Sequence, residues 1–426
     1  MAGAKAVFPK QWNVKVFAVI FACALALLNV DTVSGRPSAG KKGRSCNTLR
    51  IVARLYMAYG DYAKAQPFAE QALTLAKTKN ASDSELCSCL IDLAYLYNYQ
   101  GRLADAEEMC RLGLKLQEEL YGENYPYVAY TLRILSSIYQ GQGKYREAGA
   151  VLERAMAIMQ KGHLPGDRAL APFLVDIAKL LVAQGDFEDA EAYFLKALHS
   201  INGSYGPDHL YTAGVLGSVA KLYTLRGRYP EAEALINQTL VIQEKIYGSD
   251  HHLLAPTWLT MAGICEARKD YAHAEMLLQK ALAAVEKKQG AEHPMTGKVL
   301  RTLGELYISE GKYVMAEGVC QRAVKVLEKS LGADNDHTAL AFNNIARLYI
   351  YQGRYSEAQD LCLRVLSTLE DIFDQNHTSV ADVLGTMAQL QHKVGNTTEA
   401  AKLRQRAEEI RASKQVPYEP VAKATE

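Results

Sequence analysis

The 426-residue sequence lacks a large excess of either charge, because 48 Lys and Arg residues are balanced by 47 Asp and Glu residues. The net charge of +1 excludes a chain-wide positive field that would hold nucleic acid or an anionic membrane. Proline is also scarce, with 12 residues. Because proline interrupts helices, its scarcity beside abundant Ala, Leu, Glu and Lys favours helix throughout the chain.

The motifs of common catalytic and cofactor sites are missing as well. The sequence contains no glycine-rich phosphate loop and no HExxH, GxSxG or paired CxxC pattern. Acidic and basic residues alternate on predicted exposed helix faces, which is typical of a solvated surface rather than of acid–base pairs. We therefore predict that the protein is not an enzyme and needs no metal or cofactor.

The amino-terminal residues 1–35 have the features of a targeting segment. Three lysines precede an uncharged apolar run over residues 16–28, and small residues follow it. This pattern predicts a secretory signal peptide, and hence a secreted or periplasmic protein. An uncleaved membrane anchor with the repeats outside the cytoplasm is the alternative, although the run is short for a bilayer-spanning helix. Residues 36–45 read as a flexible basic linker.

A period of 42 residues governs the remainder of the chain. Glycines recur at this spacing, with Lys269 filling one gap and a slightly shorter first interval: Gly60, Gly101, Gly143, Gly185, Gly227, Gly311, Gly353 and Gly395. Apolar residues at helical spacing lie on both sides of each glycine, as in Phe342, Ile345 and Tyr349 before Gly353. Each unit is therefore predicted to be two helices joined at a glycine turn, where positive φ carries no Cβ penalty.

Small residues also recur at fixed positions after the turns, and they permit close helix packing. An alanine follows every turn by five residues: Ala65, Ala106, Ala148, Ala190, Ala232, Ala274, Ala316, Ala358 and Ala400. One helical hairpin cannot bury both of its apolar stripes, so neighbouring hairpins must stack. The sequence predicts an all-α protein in which about nine hairpins form one elongated α-α solenoid.

This pattern resembles the tetratricopeptide repeat over residues 46–411. The length of the unit and stretches such as FNNIARLYIYQGRYSEA are similar to the repeats of kinesin light chains. The resemblance implies a right-handed superhelix. It does not imply a transport role, because the chain has no heptad segment outside the repeats. The polar last helix fits an end cap, and residues 412–426 are predicted to be a disordered tail.

Cysteine and histidine patterns favour packing over metal binding. Cys110, Cys320 and Cys362 share one core position of the repeat, whereas a disulfide among Cys46, Cys87 and Cys89 is left open. Four histidines share a position just before the first helix of their repeats, where other repeats have Tyr125 and Asn335: His209, His251, His293 and His377. Stacked repeats would hold these histidines too far apart to share a zinc ion, so we interpret them as helix-start and loop packing.

The resemblance further implies that the first helices line a concave groove. The positions that face it in the family carry mainly basic residues, with aromatic and amide residues among them and Glu305 and Asp382 as the acids: Arg50, Arg54, Tyr95, Tyr130, Arg133, Lys179, Lys221, Lys298, Arg301, Asn343 and Arg347. Arginine binds carboxylates through two hydrogen bonds, and asparagine can bond a peptide backbone. We predict a noncatalytic interaction scaffold that binds extended, acidic or carboxylate-terminated segments of other proteins in this groove.

Three alternatives stand beside this prediction. The basic face could be solvated surface without a ligand, because charged faces often bind nothing. A chain tethered by an uncleaved leader could act as an assembly or anchoring factor of the cell envelope. The repeats could also form a self-associating structural protein.

Overall fold

The computed structural model describes residues 45–58, 60–78, 82–161, 169–373 and 375–414. Within these ranges, the chain forms 18 α-helices and no β-strand. The predicted leader and most of the linker lie outside the described residues, as do residues 415–426 of the predicted tail. None of the described helices has both the length and the apolar character that crossing a bilayer requires.

The helices alternate in nine hairpins, as the 42-residue period predicts. The first helices of the hairpins are α1 (Cys46–Ala58), α3 (Asp83–Tyr99), α5 (Pro126–Gly141), α7 (Ala171–Gln184), α9 (Leu210–Leu225), α11 (Ala255–Ala267), α13 (Pro294–Ser309), α15 (Asp336–Tyr351) and α17 (Thr378–Lys393). The second helices are α2 (Tyr62–Thr78), α4 (Leu103–Tyr121), α6 (Tyr145–Lys161), α8 (Phe187–Tyr205), α10 (Tyr229–Tyr247), α12 (Tyr271–Gln289), α14 (Tyr313–Leu331), α16 (Tyr355–Ile372) and α18 (Thr397–Lys414). A short 3₁₀ helix (His252–Leu254) precedes α11.

The turn inside each hairpin follows from its glycine. Gly101 has a φ of 74°, and Lys269, which replaces glycine in the sixth repeat, has a φ of 63°. Arg102, the residue after Gly101, donates its N–H to the carbonyl of Tyr97 at 2.9 Å, which caps the end of α3. The guanidinium of that residue, Arg102, also lies 4.0 Å from the centre of the Tyr97 ring. The same Tyr and Arg pair recurs at Tyr223 and Arg228, so a stacked cation accompanies these turns.

The core runs along the stacked hairpins. The recurrent alanines are fully buried where the two helices of a hairpin meet, as at Ala106, Ala148 and Ala190. Cys110, Cys320 and Cys362 are buried core residues, which confirms their predicted packing role. The last helix, α18, buries apolar residues along one side. It extends to Lys414, three residues past the boundary expected from the sequence.

The solenoid also contacts itself, which the sequence analysis did not predict. Three hydrogen bonds join residues that are 194 positions apart, between four and five repeats along the chain. In each bond, a side chain just before a first helix donates to a carbonyl near an earlier hairpin turn. The bonds run from His293 to Tyr99 at 2.9 Å, from Asn335 to Gly141 at 3.1 Å and from His377 to Ala183 at 2.8 Å. We call this inter-turn contact the seam.

Other contacts reinforce the seam. Lys288 forms an ion pair with Asp61 at 2.8 Å. The Tyr145 hydroxyl donates to the Asp336 carboxylate at 3.2 Å, and its ring stacks on Phe373 with 5.0 Å between the ring centres. One apolar cluster therefore contains residues of the first four repeats together with residues of the last two. One turn of the superhelix therefore takes between four and five repeats, and successive turns are in contact.

The seam explains the histidine series. The Nδ1 atoms of His209, His251, His293 and His377 each accept the backbone N–H two residues later, which confirms the predicted helix-start role. In His293 and His377 the second ring nitrogen donates across the seam. Asn335 performs both tasks with its amide, since its oxygen accepts from His337 while its nitrogen donates to Gly141. Histidine and asparagine are therefore interchangeable here because each offers one acceptor and one donor.

Acidification should weaken the seam. A histidine that accepts a backbone N–H at Nδ1 must lose that bond when the ring is protonated. Burial lowers the pKa of His293. His252 also lies at the seam, with its ring centre 6.5 Å from that of Tyr62, and burial followed by repulsion from His251 lowers its pKa to about 4. Because both folded-state pKa values lie below the unfolded value near 6.5, their stabilising contribution is complete above that pH and is lost as the pH falls.

We therefore expect the free energy of unfolding, measured with urea, to fall between pH 7.5 and pH 5. The matched variant is His293→Asn, which copies Asn335 and keeps both hydrogen bonds without a titrating ring. It should lose less stability on acidification than the natural chain does. Equal losses in the two proteins would contradict a role for His293 protonation.

Candidate functional site

The first helices of successive repeats lie side by side and form the inner face of the superhelix. Arg50 on α1 reaches Asp92 on α3 at 2.8 Å, and Arg54 reaches the other carboxylate oxygen of Asp92 at 2.6 Å. Asp92 is buried, whereas the Arg54 side chain is 57% exposed. The positive charge at this end of the groove is therefore partly neutralised by an acid one repeat away.

A second pair lies further along the same face. Arg133 on α5 forms an ion pair with Asp176 on α7 at 2.6 Å and lies 5.1 Å from the centre of the Phe173 ring. The Tyr130 ring packs beside the same phenylalanine, at 5.4 Å between the ring centres. Arg133 is thus held by a carboxylate and an aromatic ring, and only part of its hydrogen-bonding capacity is free.

Tyrosines surround the part of the groove nearest the second repeat. The Tyr95 and Tyr99 rings are 4.7 Å apart, and Tyr99 also stacks on Tyr62 at 5.2 Å. Burial, with Tyr95 as the next contributor, raises the pKa of Tyr99 well above its usual value. Tyr95 itself remains 39% exposed, so it presents an aromatic edge and a hydroxyl group to the groove.

Three lysines in the middle of the groove differ from these arginines. Among the described residues, Lys179, Lys221 and Lys298 have no carboxylate within 4.0 Å. Burial lowers the pKa of Lys298 to about 8, and the positive charges of Lys221 and Arg301 add to this although Asp336 opposes it. Lys221 is exposed to solvent inside the groove, but desolvation by the surrounding helices lowers its pKa, and the charges of Arg301 and Lys179 add to this effect. Positive charges from α7, α9 and α13 are therefore close enough to lower one another's pKa values.

A cavity of about 460 Å³ lies at the carboxyl-terminal end of the groove, between α13, α15, α17 and α18. Two ion pairs border it, Arg301 with Glu305 at 3.1 Å and Arg411 with Asp382 at 3.0 Å. Arg347 and Arg404 also line it and form no ion pair with any described residue. The walls of the cavity desolvate Asp382 and raise its pKa, although its side chain is 55% exposed and its pairing with Arg411 opposes the shift.

Asn343 lines the cavity with an unused hydrogen-bond acceptor. The residue is only 6% exposed, and its side-chain oxygen has no hydrogen-bond partner. The adjacent Asn344 instead donates its amide to the carbonyl of Arg301 at 3.2 Å. A buried acceptor without a partner is costly, so the cavity can favour a ligand that brings both negative charge and an N–H donor.

The structure distributes the predicted groove residues over three zones. Arg50 and Arg54 lie at the amino-terminal end, with Tyr95 and Tyr130 nearby, and Arg133 follows. Lys179, Lys221 and Lys298 form the middle. Arg301, Asn343 and Arg347 border the cavity.

The sequence did not indicate the acids Asp92 and Asp176, because they fall one residue beyond the positions that face the groove in the family. It also missed Arg404 and Arg411, which belong to the last helix rather than to a first helix.

The described residues contain no group of three or more His, Cys, Asp or Glu side chains that could hold a metal ion. The inner face can instead offer positive charge, aromatic edges and single hydrogen-bonding groups along an extended path. This chemistry suits binding of an extended chain segment.

Among solved structures, one shares this architecture and two others have weaker similarity. A Rap protein complexed with competence and sporulation factor shares 17% identity and has a TM-score of 0.56, with 78% of this chain and 99% of that chain covered. The apo form of RapI shares 14% identity over 86% of this chain and 98% of that one, with a TM-score of 0.47. A putative kinesin light chain from Podospora anserina with nearly identical TPR-like repeats shares 23% identity over 49% of this chain and 99% of that chain, with a TM-score of 0.36. Because all three identities are below 25%, the similarity concerns the fold alone.

Family models extend across the repeats. A model described as the MalT-like TPR region matches residues 46–244, and one described as the tetratricopeptide repeat matches residues 215–287, 253–329, 295–371 and 337–413. No curated protein matches the chain significantly. The two models together cover the nine hairpins seen in the structure, and the chain belongs to the tetratricopeptide repeat family.

Proposed function

We propose that the chain is a noncatalytic scaffold that captures an extended acidic segment of another protein on its inner face. The tetratricopeptide repeats support a role in protein–protein interaction. The observation that carries the finer proposal is the group of three lysines, Lys179, Lys221 and Lys298, which face the groove without a carboxylate partner. Bringing carboxylates to these ammonium groups relieves their mutual repulsion.

The rigidity of the solenoid supports the same proposal. The groove is formed by helices that the seam and the neighbouring repeats hold in place, so little ordering of the scaffold accompanies binding. The ordering cost then falls mainly on the extended partner segment. The tyrosine zone and the cavity can contribute aromatic contacts and hydrogen bonds at either end of the lysine zone.

The decisive experiment reverses the charge of the three lysines. We expect Lys179→Glu, Lys221→Glu and Lys298→Glu together to weaken binding of a fluorescein-labelled glutamate-rich peptide, measured by anisotropy, at least about 100-fold. The matched control, Lys115→Glu with Lys325→Glu and Lys402→Glu, makes the same change in net charge at exposed positions of the second helices α4, α14 and α18.

The control should bind almost as tightly as the natural chain does. Equal losses in the two triple variants would indicate attraction by net charge alone and would contradict a groove site. Unchanged helical circular dichroism in both variants is required, so that unfolding is not mistaken for loss of binding.

A further inference from the structure

Two cysteines meet at the amino-terminal end of the solenoid. Cys46 is the first residue of α1, and Cys89 lies near the start of α3. Their sulfur atoms are 3.2 Å apart, and the residues are 6% and 1% exposed. A disulfide bond needs about 2.05 Å between the sulfurs, so an approach of roughly 1 Å separates this contact from a bond.

The surrounding contacts select one pairing among the three cysteines of this region. The Cys87 thiol is directed away and donates to the carbonyl of Gly113 on α4 at 3.3 Å. The Cys46 thiol contacts the Cys89 sulfur and the carbonyl of Ala72, the latter at 3.7 Å. Of the three possible pairings, only Cys46 with Cys89 has its sulfurs in contact.

We propose that Cys46 and Cys89 form a disulfide bond that joins the first repeat to the second. In the exchange reaction, the thiolate of one cysteine attacks a small disulfide such as glutathione disulfide and releases one glutathione thiolate. The thiolate of the other cysteine then displaces the bound glutathione and closes the protein disulfide. Two protein thiols lose their protons and are oxidised, and one glutathione disulfide is reduced to two glutathione thiols.

The bond would stabilise the amino-terminal end of the solenoid. The first hairpin has a described neighbour on one side only, and terminal repeats of a solenoid are the first to separate. Arg50 follows Cys46 by one helical turn, and its partner Asp92 follows Cys89 by three residues. The disulfide would therefore hold the Arg50–Asp92 ion pair in register at the amino-terminal end of the groove.

Burial determines when the bond can form. It raises the pKa of Cys89, and the neighbouring Cys46 adds to this effect, so the reactive thiolate is scarce in the folded chain. Oxidation of the folded, reduced protein should therefore be slow. Oxidation during folding, while both thiols are exposed, should be fast, as for a structural disulfide rather than a redox switch.

The test is refolding of the full chain from the reduced, denatured state in a glutathione redox buffer, followed by intact mass and peptide mapping without reduction. We expect a loss of about 2 Da, for two hydrogen atoms, and a linked peptide pair that contains Cys46 and Cys89. Cys87→Ser is the matched control and should keep the link. Cys46→Ser, at a helix end where the change is mild, should lose it.

Thermal unfolding provides a second readout. Dithiothreitol should lower the midpoint of the natural chain and of Cys87→Ser, and it should leave that of Cys46→Ser unchanged. A link through Cys87 would overturn the proposal. So would a natural chain that refolds with all seven of the described cysteines still reactive as free thiols.

Discussion

Gly101→Ala is expected to destabilise the protein by about 2–5 kcal/mol, far more than a single methyl group costs at an open turn. Gly101 has a φ of 74°, where an L-residue carries a penalty of about 1–2 kcal/mol. A Cβ atom would also lie 2.4 Å from two ring carbons of Pro294, across the seam. Relieving that clash requires one turn of the superhelix to move away from the next.

The repeat itself supplies the matched control. Gly227 occupies the same turn position with a φ of 72°, and a Cβ atom there would meet no atom within 4 Å. Gly227→Ala should therefore cost only the backbone penalty. Urea unfolding of both variants measures the difference, which isolates the contribution of the seam. Equal destabilisation would mean that the two turns of the superhelix are not in contact in solution.

Trp258→Ala is expected to lower the free energy of unfolding by about 3–5 kcal/mol. Trp258 is 1% exposed and fills the position where seven of the other eight repeats have leucine. It packs with Leu254, Ala281 and Val299, which join the sixth hairpin to the seventh. Removing the indole leaves a cavity at an interface between repeats, where the surrounding helices can collapse only in part.

The exposed Met276 on α12 is the control for this substitution. It is 56% exposed, so Met276→Ala should change the free energy of unfolding by no more than about 0.5 kcal/mol. Denaturant curves of the two variants provide the comparison. A loss below about 1 kcal/mol for Trp258→Ala would contradict tight stacking of the sixth and seventh hairpins.

The hairpins could be predicted because their causes are local. Gly143 and Gly353 mark turns with positive φ, and the alanines beside them mark close helix packing, so period and spacing alone specify the unit. The period also predicts a turn at Lys269, where glycine is replaced. The chain does turn there, because Lys269 adopts a positive φ of 63°. Nine units in series then require stacking.

The seam could not be predicted because it depends on small rotations summed over several repeats. Nothing near His293 in the sequence indicates that its ring reaches Tyr99, although the shared position of the histidines was visible. A change of a few degrees per repeat would separate the two turns, and the sequence period does not define that angle. The same limit applies to Arg411, whose place beside Asp382 depends on how the last hairpin docks.

The groove was predicted in outline but not in its charge balance. The basic residues were identified, whereas which of them lie beside an acid could be known only from side-chain positions. Asp92 and Asp176 offset part of the charge of the arginines in the amino-terminal half, whereas the three lysines in the middle of the groove have no carboxylate of a described residue within 4.0 Å. This distribution moves the expected binding zone toward Lys221 and Lys298.

The most direct test of a superhelix that closes on itself is a double-mutant cycle across the seam. Tyr145 and Asp336 are 191 residues apart, yet their side chains are hydrogen-bonded at 3.2 Å and both are buried. Tyr145→Phe, Asp336→Asn and the double variant, compared by urea unfolding, should show a coupling free energy of at least about 0.5 kcal/mol. Strictly additive effects, within about 0.3 kcal/mol, would contradict contact between the two turns.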